Sequence, residues 1–398
     1  MSQPSKENFP LSLPGRVPAL AKISRAASLQ ITKEQWNDWQ WQVNNRLTTA
    51  AEIERYLPLT VEEKRAIHFS QGKFFLSLTP YWASQMDPAD FMCPLRRQSI
   101  PLDEEFKTSI YEPYEFAGDG TKAARGRLTH LYPDRAIFSV HSQCIVYCRF
   151  CPQRKMKAQS ETEESPAILE QDWNDVRSYL TDHPQIREVI ISGGEPLLLN
   201  DELLRGIFSR LKEIPTVKTL RLESRIISFL PQRITKSLIQ LLKDFQPLYL
   251  VLHVNHPREM SLEFVDACER LCDSGIPLAS QTVLLRDLND KIAVLSELFS
   301  ALFNLRVRPY RLVQMLPFQG TEHFRTTIST GLKLIENLRG RMTGLSLPEY
   351  MVETAGGKIP LRYESVLSRN KKRVLLKNYE GKVFVYPEKI FTNSVRGA

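Results

Sequence analysis

From about residue 136 the chain alternates short aliphatic and β-branched runs with amphipathic helical stretches, and this alternation limits the fold more than any other feature. The runs cover 136–140, 188–192, 219–224, 248–254, 278–285 and 307–315. Helical spacing fills 171–182, 201–212, 232–244, 261–274 and 290–303 between them. A strand followed by a helix and another strand implies parallel pairing through right-handed crossovers. A doubly wound sheet would also satisfy the pattern. The residues able to do chemistry fall at or just after the C-termini of the runs, where barrel sites lie. The expected fold class is therefore α/β, a partial (β/α)6 TIM-like barrel over residues 130–317.

The flanking regions read differently. Residues 1–28 are rich in Ser, Pro and Arg and are expected to form a flexible arm. Residues 29–129 are expected to be mainly helical. Thr32 and Gln35 fit a capping box, and Trp36, Trp39, Val43 and Leu47 follow at helical spacing as core anchors. Helical pattern runs through 61–75, and irregular Pro-bearing sequence through 80–129. Residues 318–398 form a C-terminal α+β extension. It holds a helix over 329–341 and a hairpin in which Gly381 turns the chain between 374–376 and 383–386.

Composition excludes several classes. With 398 residues, 42% hydrophobic and 25% charged, the chain is neither disordered nor collagen-like. No run approaches the roughly 18 apolar residues that span a bilayer, so no membrane partner is expected. The net charge of +8 is spread along the chain. Its densest cluster, Arg369, Lys371, Lys372 and Arg373, reads as solvated surface, so no nucleic-acid partner is expected. The opening residues lack a secretion signal, which implies a reducing cytoplasmic setting. The six cysteines are then metal ligands or core, not disulfides. Cys268 and Cys272, four apart on one helix face, and Cys93 read as core packing.

Cys144-Ile-Val-Tyr-Cys148-Arg-Phe-Cys151 follows the first barrel run. Three thiolates on a tight loop can hold three irons of a [4Fe–4S] cubane and leave the fourth iron open to an exchangeable ligand. The alternative is a zinc site that recruits His141 as fourth ligand. Ser192-Gly193-Gly194-Glu195-Pro196 ends the second run, where paired glycines permit close backbone approach and Glu195 can accept from an ammonium. Thr354-Ala-Gly-Gly-Lys358 puts an amine after a turn, able to form a Schiff base or simply to sit in solvent. No Walker pattern surrounds that lysine.

The CxxxCx(aromatic)C loop closely resembles that of the radical S-adenosylmethionine (SAM) superfamily. In that superfamily SAM chelates the open iron, an aromatic residue (here Phe150) lies by the adenine, and a glycine-rich segment holds the SAM amino group. Other segments are similar to the lysine 2,3-aminomutase family within it. They are Trp36-Asn-Asp-Trp39, Pro94-Leu-Arg-Arg-Gln98, Leu128-Thr-His, Tyr132-Pro-Asp-Arg135, Leu230-Pro-Gln-Arg-Ile-Thr235, His253-Val-Asn-His-Pro257, residues 281–290 and His323-Phe-Arg325. The likeness runs in order from about residue 30 to 365. It implies a radical SAM barrel with a [4Fe–4S] cluster on Cys144, Cys148 and Cys151, SAM, and pyridoxal 5′-phosphate (PLP) on Lys358. By position Arg135 matches a PLP-phosphate contact, and His253 and Gln281 match positions near SAM. Ser224 and Arg225 are further candidates for that pocket. The implied reaction moves an amino group from C2 to C3 of an L-amino acid, in an isomerase that draws on an electron donor and commonly forms homo-oligomers.

The family's substrate contacts carry over less well. An arginine that grips the substrate carboxylate is replaced by Gln153, with Arg154 adjacent. Of two aspartates that hold the distal ammonium of lysine, one position is Leu316 and the other Glu353. Leu131 replaces an arginine on the phosphate side, and the glycine stretch before Lys358 is shorter. The expected substrate is therefore an amino acid that need not be lysine, with a less polar or differently placed side chain. Two other readings are a radical SAM enzyme with a changed reaction and a catalytically silent family member that acts as a binding protein.

Overall fold

The structure is a computed structural model that describes residues 30–107, 123–151, 154, 168–354, 357–362, 364–378 and 380–388. The expected arm over 1–28 lies outside these residues.

Ten strands form one sheet in sequence order. They are β1 (Ala123–Arg125), β2 (Leu128–Tyr132), β3 (Arg135–His141), β4 (Glu188–Gly193), β5 (Thr219–Ser224), β6 (Leu248–His253), β7 (Leu278–Leu284), β8 (Val307–Gln314), β9 (Glu349–Thr354) and β10 (Gly357–Pro360). The six runs read from sequence are β3 to β8, and each pairs in parallel with the next. The parallel set gains a seventh member, because β9 pairs in parallel with β8. β1–β2–β3 and β9–β10 are antiparallel, so a hairpin is added at each end. The sheet thus crosses the expected boundary at 317. A separate sheet of β11 (Val366–Arg369), β12 (Arg373–Lys377) and β13 (Val383–Pro387) follows, with Gly381 at φ +80° in the expected hairpin turn.

Short helices lead into the sheet: α1 (Lys33–Asn37), α2 (Trp39–Asn44), α3 (Ala50–Glu54), α4 (Val61–Ser70), α5 (Pro80–Gln85) and α6 (Pro94–Arg97). The Thr32 capping box forms as expected. The single helix expected beyond it is broken at Asp38, whose carboxylate caps α2 by accepting from the Gln40 amide at 2.9 Å. A side chain that bonds its own backbone competes with helix propagation. Trp36 and Trp39 are half-buried at the margin of the core, while Trp82 is fully buried.

The crossovers carry α7 (Glu170–Asp182), α8 (Asp201–Lys212), α9 (Ile226–Phe229), α10 (Lys236–Asp244), α11 (Leu262–Asp273), α12 (Ile292–Asn304) and, before β9, α13 (Ile328–Leu338). α8 buries Leu204, Ile207, Phe208 and Leu211, one stripe of a 3.6-residue period. α11 buries Phe264, Ala267, Cys268 and Leu271, which makes Cys268 a core residue. Each fully buried Leu or Phe contributes roughly 1.5–3 kcal/mol. α10 begins at Lys236, later than expected, because Pro231–Arg233 forms a 3-10 turn and Thr235 caps the helix.

The Pro94–Gln98 motif is an internal fastener. The Arg96 guanidinium, 1% exposed, bonds the Glu63 carboxylate through Nε and Nη2 and the Pro58 carbonyl at 2.7 Å. A buried charge left without its partner is costly. Arg96→Met is therefore expected to destabilise the protein by about 3–5 kcal/mol in urea unfolding. Adding Glu63→Gln, which removes the stranded charge, is expected to recover most of the loss.

Candidate active site

The cysteine loop is clamped from the N-terminal region. Arg149 lies within it, between Cys148 and Cys151. Its amide donates to the Gln98 carbonyl at 2.9 Å, and its buried guanidinium bonds Glu105 (Nε to Oε1, 2.9 Å) and the Phe75 carbonyl (3.0 Å). Ser77 donates to the Ile145 carbonyl at 2.8 Å. Burial pushes the Cys148 thiol up to about 11, opposed by Arg225, whose Nη1 stands 3.1 Å from the sulfur. His141 does not stand free as a fourth ligand. Its Nδ1 accepts from the Gln143 amide at 3.1 Å, which leaves Nε2 to donate to the Glu195 carbonyl at 2.7 Å. Among the described residues no three His, Cys, Asp or Glu side chains gather on a single ion. A cubane does not require that, since each of three irons takes one thiolate. Three thiols on one anchored loop beside a guanidinium fit such a cluster.

The glycine turn at the end of β4 is packed tightly against the start of the cysteine loop. A Cβ on Gly194 would sit 1.9 Å from the Gln143 carbonyl oxygen, and one on Gly193, at φ +123°, 2.3 Å from that of His141. The close approach is to the chain itself. The Gly194 and Glu195 amides donate to those two carbonyls at 2.7 and 2.8 Å, which pins the start of the cysteine loop against β4. Ser192 faces Ser139 in the same β3–β4 ladder. Glu195 is not an open acceptor. Its buried carboxylate accepts from Ser224 Oγ (2.6 Å) and from the Arg225 and Leu197 amides (2.8 and 3.2 Å). Burial nevertheless outweighs these bonds and raises its pKa to about 7. Arg233 closes the same turn by donating to the Leu197 and Leu199 carbonyls and to Asp201.

Arg225 is held on every side. Its Nη2 bonds Gln98 Oε1 at 2.6 Å and Glu259 Oε1 at 3.0 Å, and its guanidinium lies 5.3 Å from the Phe150 ring centre and 4.6 Å from that of Phe229. Phe150 packs in a small apolar cluster with Leu285, Met315, Phe318 and Phe324, and Leu316 lies against it.

A second group gathers around Lys358 on β10. Its Nζ donates to Gln281 Oε1 at 3.0 Å and lies 4.0 Å from Glu353 Oε2. Gln281 Nε2 is 3.5 Å from His253 Nε2, which is 3.9 Å from Glu223 Oε2. Burial lowers the His253 pKa to about 4. Burial alone would raise that of Glu223, but the charges of Lys358, Arg221 and Arg311 hold it below the usual value. Glu223 and Arg311 were not singled out from sequence. Their signal was a charged residue inside a strand otherwise buried. Arg135 lies at the start of β3 with its guanidinium 3.8 Å from the Tyr132 ring centre and 2.7 Å from Asp134. Tyr132 in turn touches the Lys358 backbone, so one ring separates the amine-bearing residue from a fixed cation. An amine among acceptors with a cation near suits an aldehyde that bears a phosphate, so these residues fit PLP. Arg154, expected near the substrate, is instead 2% exposed and bonded to the Arg149 and Gly320 carbonyls and to Glu105. Gln153 and the Leu131 side chain lie outside the described residues.

Residues 335–395 match a family model described as lysine-2,3-aminomutase. The L-lysine 2,3-aminomutase of Clostridium subterminale is 38% identical over 90% of this chain and 86% of its own length. The glutamate 2,3-aminomutase of Clostridioides difficile is 36% identical over 88% and 83%. The Escherichia coli L-lysine 2,3-aminomutase is 31% identical over 81% and 94%. Among solved structures, SuiB of Streptococcus suis bound to S-adenosylmethionine aligns with a TM-score of 0.42 and 13% identity, over 57% of this chain and 51% of that one.

The two histidines after β6 give a pH signature. Burial depresses His253 and His256 from 6.5 to about 4, and His256 Nδ1 accepts from the Arg258 amide, which needs an unprotonated nitrogen. Both are neutral in the fold, while the unfolded chain takes up their protons below about 6.5. Their contribution to stability is therefore present near neutral pH and is lost as pH falls from about 6.5 towards 4, by on the order of a few kcal/mol for His256 and by less for His253, whose side chain is 33% exposed. Urea midpoints are expected to fall across that window, and less steeply in His256→Asn.

Proposed function

Because this chain belongs to the lysine 2,3-aminomutase family of radical SAM enzymes, and so is an isomerase acting on an amino acid, we propose that it moves the amino group from C2 to C3 of an L-amino acid that need not be lysine. The observation that carries the site reading is the contact chain Lys358–Gln281–His253, which joins the amine on β10 to β7 and the end of β6. Cys144, Cys148 and Cys151 would hold the [4Fe–4S] cluster, with Phe150, the Gly193–Gly194 turn, Ser224, His253 and Gln281 on the SAM side. Lys358 would hold PLP, with Arg135 toward its phosphate.

When bound, these groups supply one-electron cleavage of SAM and an imine π-system through which nitrogen can migrate. The chain's own residues orient and exclude water. Gln281 fixes the lysine amine, and Glu353 and Glu223 supply negative charge beside it. Neutral His253 adds no competing cation at physiological pH. The apolar cluster around Phe150 and Leu316 keeps one wall dry.

The same wall bears on the substrate. Relatives named for lysine and for glutamate are about equally similar to this chain, so overall identity does not choose between them. Leu316 offers no charge to a distal ammonium, and Glu353 already faces Lys358. A lone acid compensates a buried cation poorly, which favours a side chain less polar than that of lysine, or one placed differently. An electron donor and a homo-oligomeric state are part of the proposal.

The test is anaerobic reconstitution with iron, sulfide, SAM and PLP, followed by incubation with lysine, glutamate, arginine and alanine and mass analysis for β-isomers. Turnover of at least one of these amino acids to its β-isomer is expected. Cys148→Ser is expected to lose most of the iron and SAM cleavage. Lys358→Ala is expected to lose the Schiff-base absorbance and turnover while it keeps the cluster. No β-isomer from any amino acid, with cluster and PLP in place, would overturn the reading.

A further inference from the structure

β10 is a four-residue strand at the outer edge of the sheet, and it carries Lys358. An edge strand leaves one row of peptide groups without a ladder partner. Lys358 is paired with Glu353 on β9. In an antiparallel pair, a residue's N–H and C=O point the same way, either toward the partner strand or away from it. Here both point away, because both meet Tyr132. The Lys358 amide donates to the Tyr132 hydroxyl, and that hydroxyl lies 3.4 Å from the Lys358 carbonyl oxygen, to which it donates.

Tyr132 ends β2, at the tip of the β2–β3 hairpin, at the opposite end of the same sheet. The two ends of the sheet therefore meet here. One phenol stands where a neighbouring strand would otherwise be. The adjoining glycine makes room for it. Gly357 has φ +95°, and a Cβ there would lie 2.9 Å from Tyr132 ring atoms. Thr354 Oγ1 donates to the Gly357 carbonyl at 2.9 Å and steadies the turn that delivers β10. On its other face the Tyr132 ring carries the Arg135 guanidinium at 3.8 Å.

We propose that Tyr132 is the positioning residue of Lys358: it clasps the Lys358 peptide across the seam of the barrel, sets the point from which the amine reaches Gln281, and couples that point to Arg135. Fixing the backbone matters because the lysine side chain has four torsions beyond it, and an edge strand held on one side only can fray. The proposal rests on the PLP reading for its functional consequence, while the clasp itself does not depend on it.

Tyr132→Phe keeps the ring and removes the hydroxyl. One hydrogen bond of ordinary net worth is about tenfold in an opening equilibrium. The Lys358 amide is therefore expected to exchange hydrogen about tenfold faster in Tyr132→Phe than in the native chain. In PLP-loaded protein, the Lys358-dependent absorbance is expected to fall in occupancy and to shift in its pH profile, with Tm and iron content unchanged. Gly357→Ala, which pushes the ring away, is expected to move both readouts in the same direction. Native exchange in Tyr132→Phe overturns the clasp. Faster exchange with an unmoved absorbance profile overturns the positioning role. If the native protein shows no Lys358-dependent absorbance at all, the PLP reading fails, and amide exchange alone decides the clasp.

Discussion

The ion pair between Arg225 and Glu259 is out of water, with side chains 7% and 0% exposed and 3.0 Å between them. Taking two charges from water costs several kcal/mol per ion, and the cost is offset only when the remaining donors and acceptors are met. Here most are met by residues far apart in sequence, while Arg225 Nε and Glu259 Oε2 are buried without a hydrogen-bond partner. Glu259 Oε1 also accepts from Gln98 Nε2 at 3.2 Å and from the Asn255 and His256 amides at 2.9 and 3.1 Å. Gln98 Oε1 accepts from Arg225 and Asn255. The N-terminal region, the end of β5 and the segment after β6 are thereby fastened at one point. The cysteine loop is fastened there too, through Cys148 and the Arg149 amide. Breaking any of these bonds would strand a buried charge, so the network selects one arrangement of the segments it joins.

This explains what could be read in the sequence and what could not. The six parallel strands were visible because short aliphatic and β-branched runs alternating with 3.6-period stretches are local signals. The cysteine loop was visible because Cys144, Cys148 and Cys151 lie close together in the chain. The hairpins β1–β2 and β9–β10, which extend the barrel at both ends, were not, since their pairing depends on contacts rather than on pattern. The Pro94–Gln98 motif could be quoted but not explained. Arg96 meets Glu63 and Gln98 meets Arg225, and neither partner is near in sequence. Arg154 was misjudged for the same reason: nothing nearby reveals that Glu105 waits for it. Glu195 looked like an open carboxylate and is an internal one, because Ser224 and the Arg225 amide reach it from the next strand.

The end of β5 shows how one strand serves two chemistries. Successive side chains on a strand point to opposite faces. Arg221 and Glu223 share the face toward Lys358, where Arg221 bonds Glu188 at 2.7 Å and lies 3.6 Å from Glu223. Ser224 points the other way, to Glu195, and Arg225 then turns toward Cys148. Barrel interiors are usually filled by branched apolar side chains. This one instead carries Glu188, Arg221, Glu223, His253, Gln281 and Lys358 in a connected run of contacts. Such a run is stable only while its charges compensate, as the lowered pKa of Glu223 reflects. The apolar wall of Phe150, Leu316 and Phe324 keeps the cysteine side at lower dielectric. A charge on that side is felt more strongly than one among the compensated pairs. His253 at the end of β6 and Gln281 on β7 carry the polar run from Glu223 across to Lys358, so a change of charge at either end is passed along a continuous line of contacts.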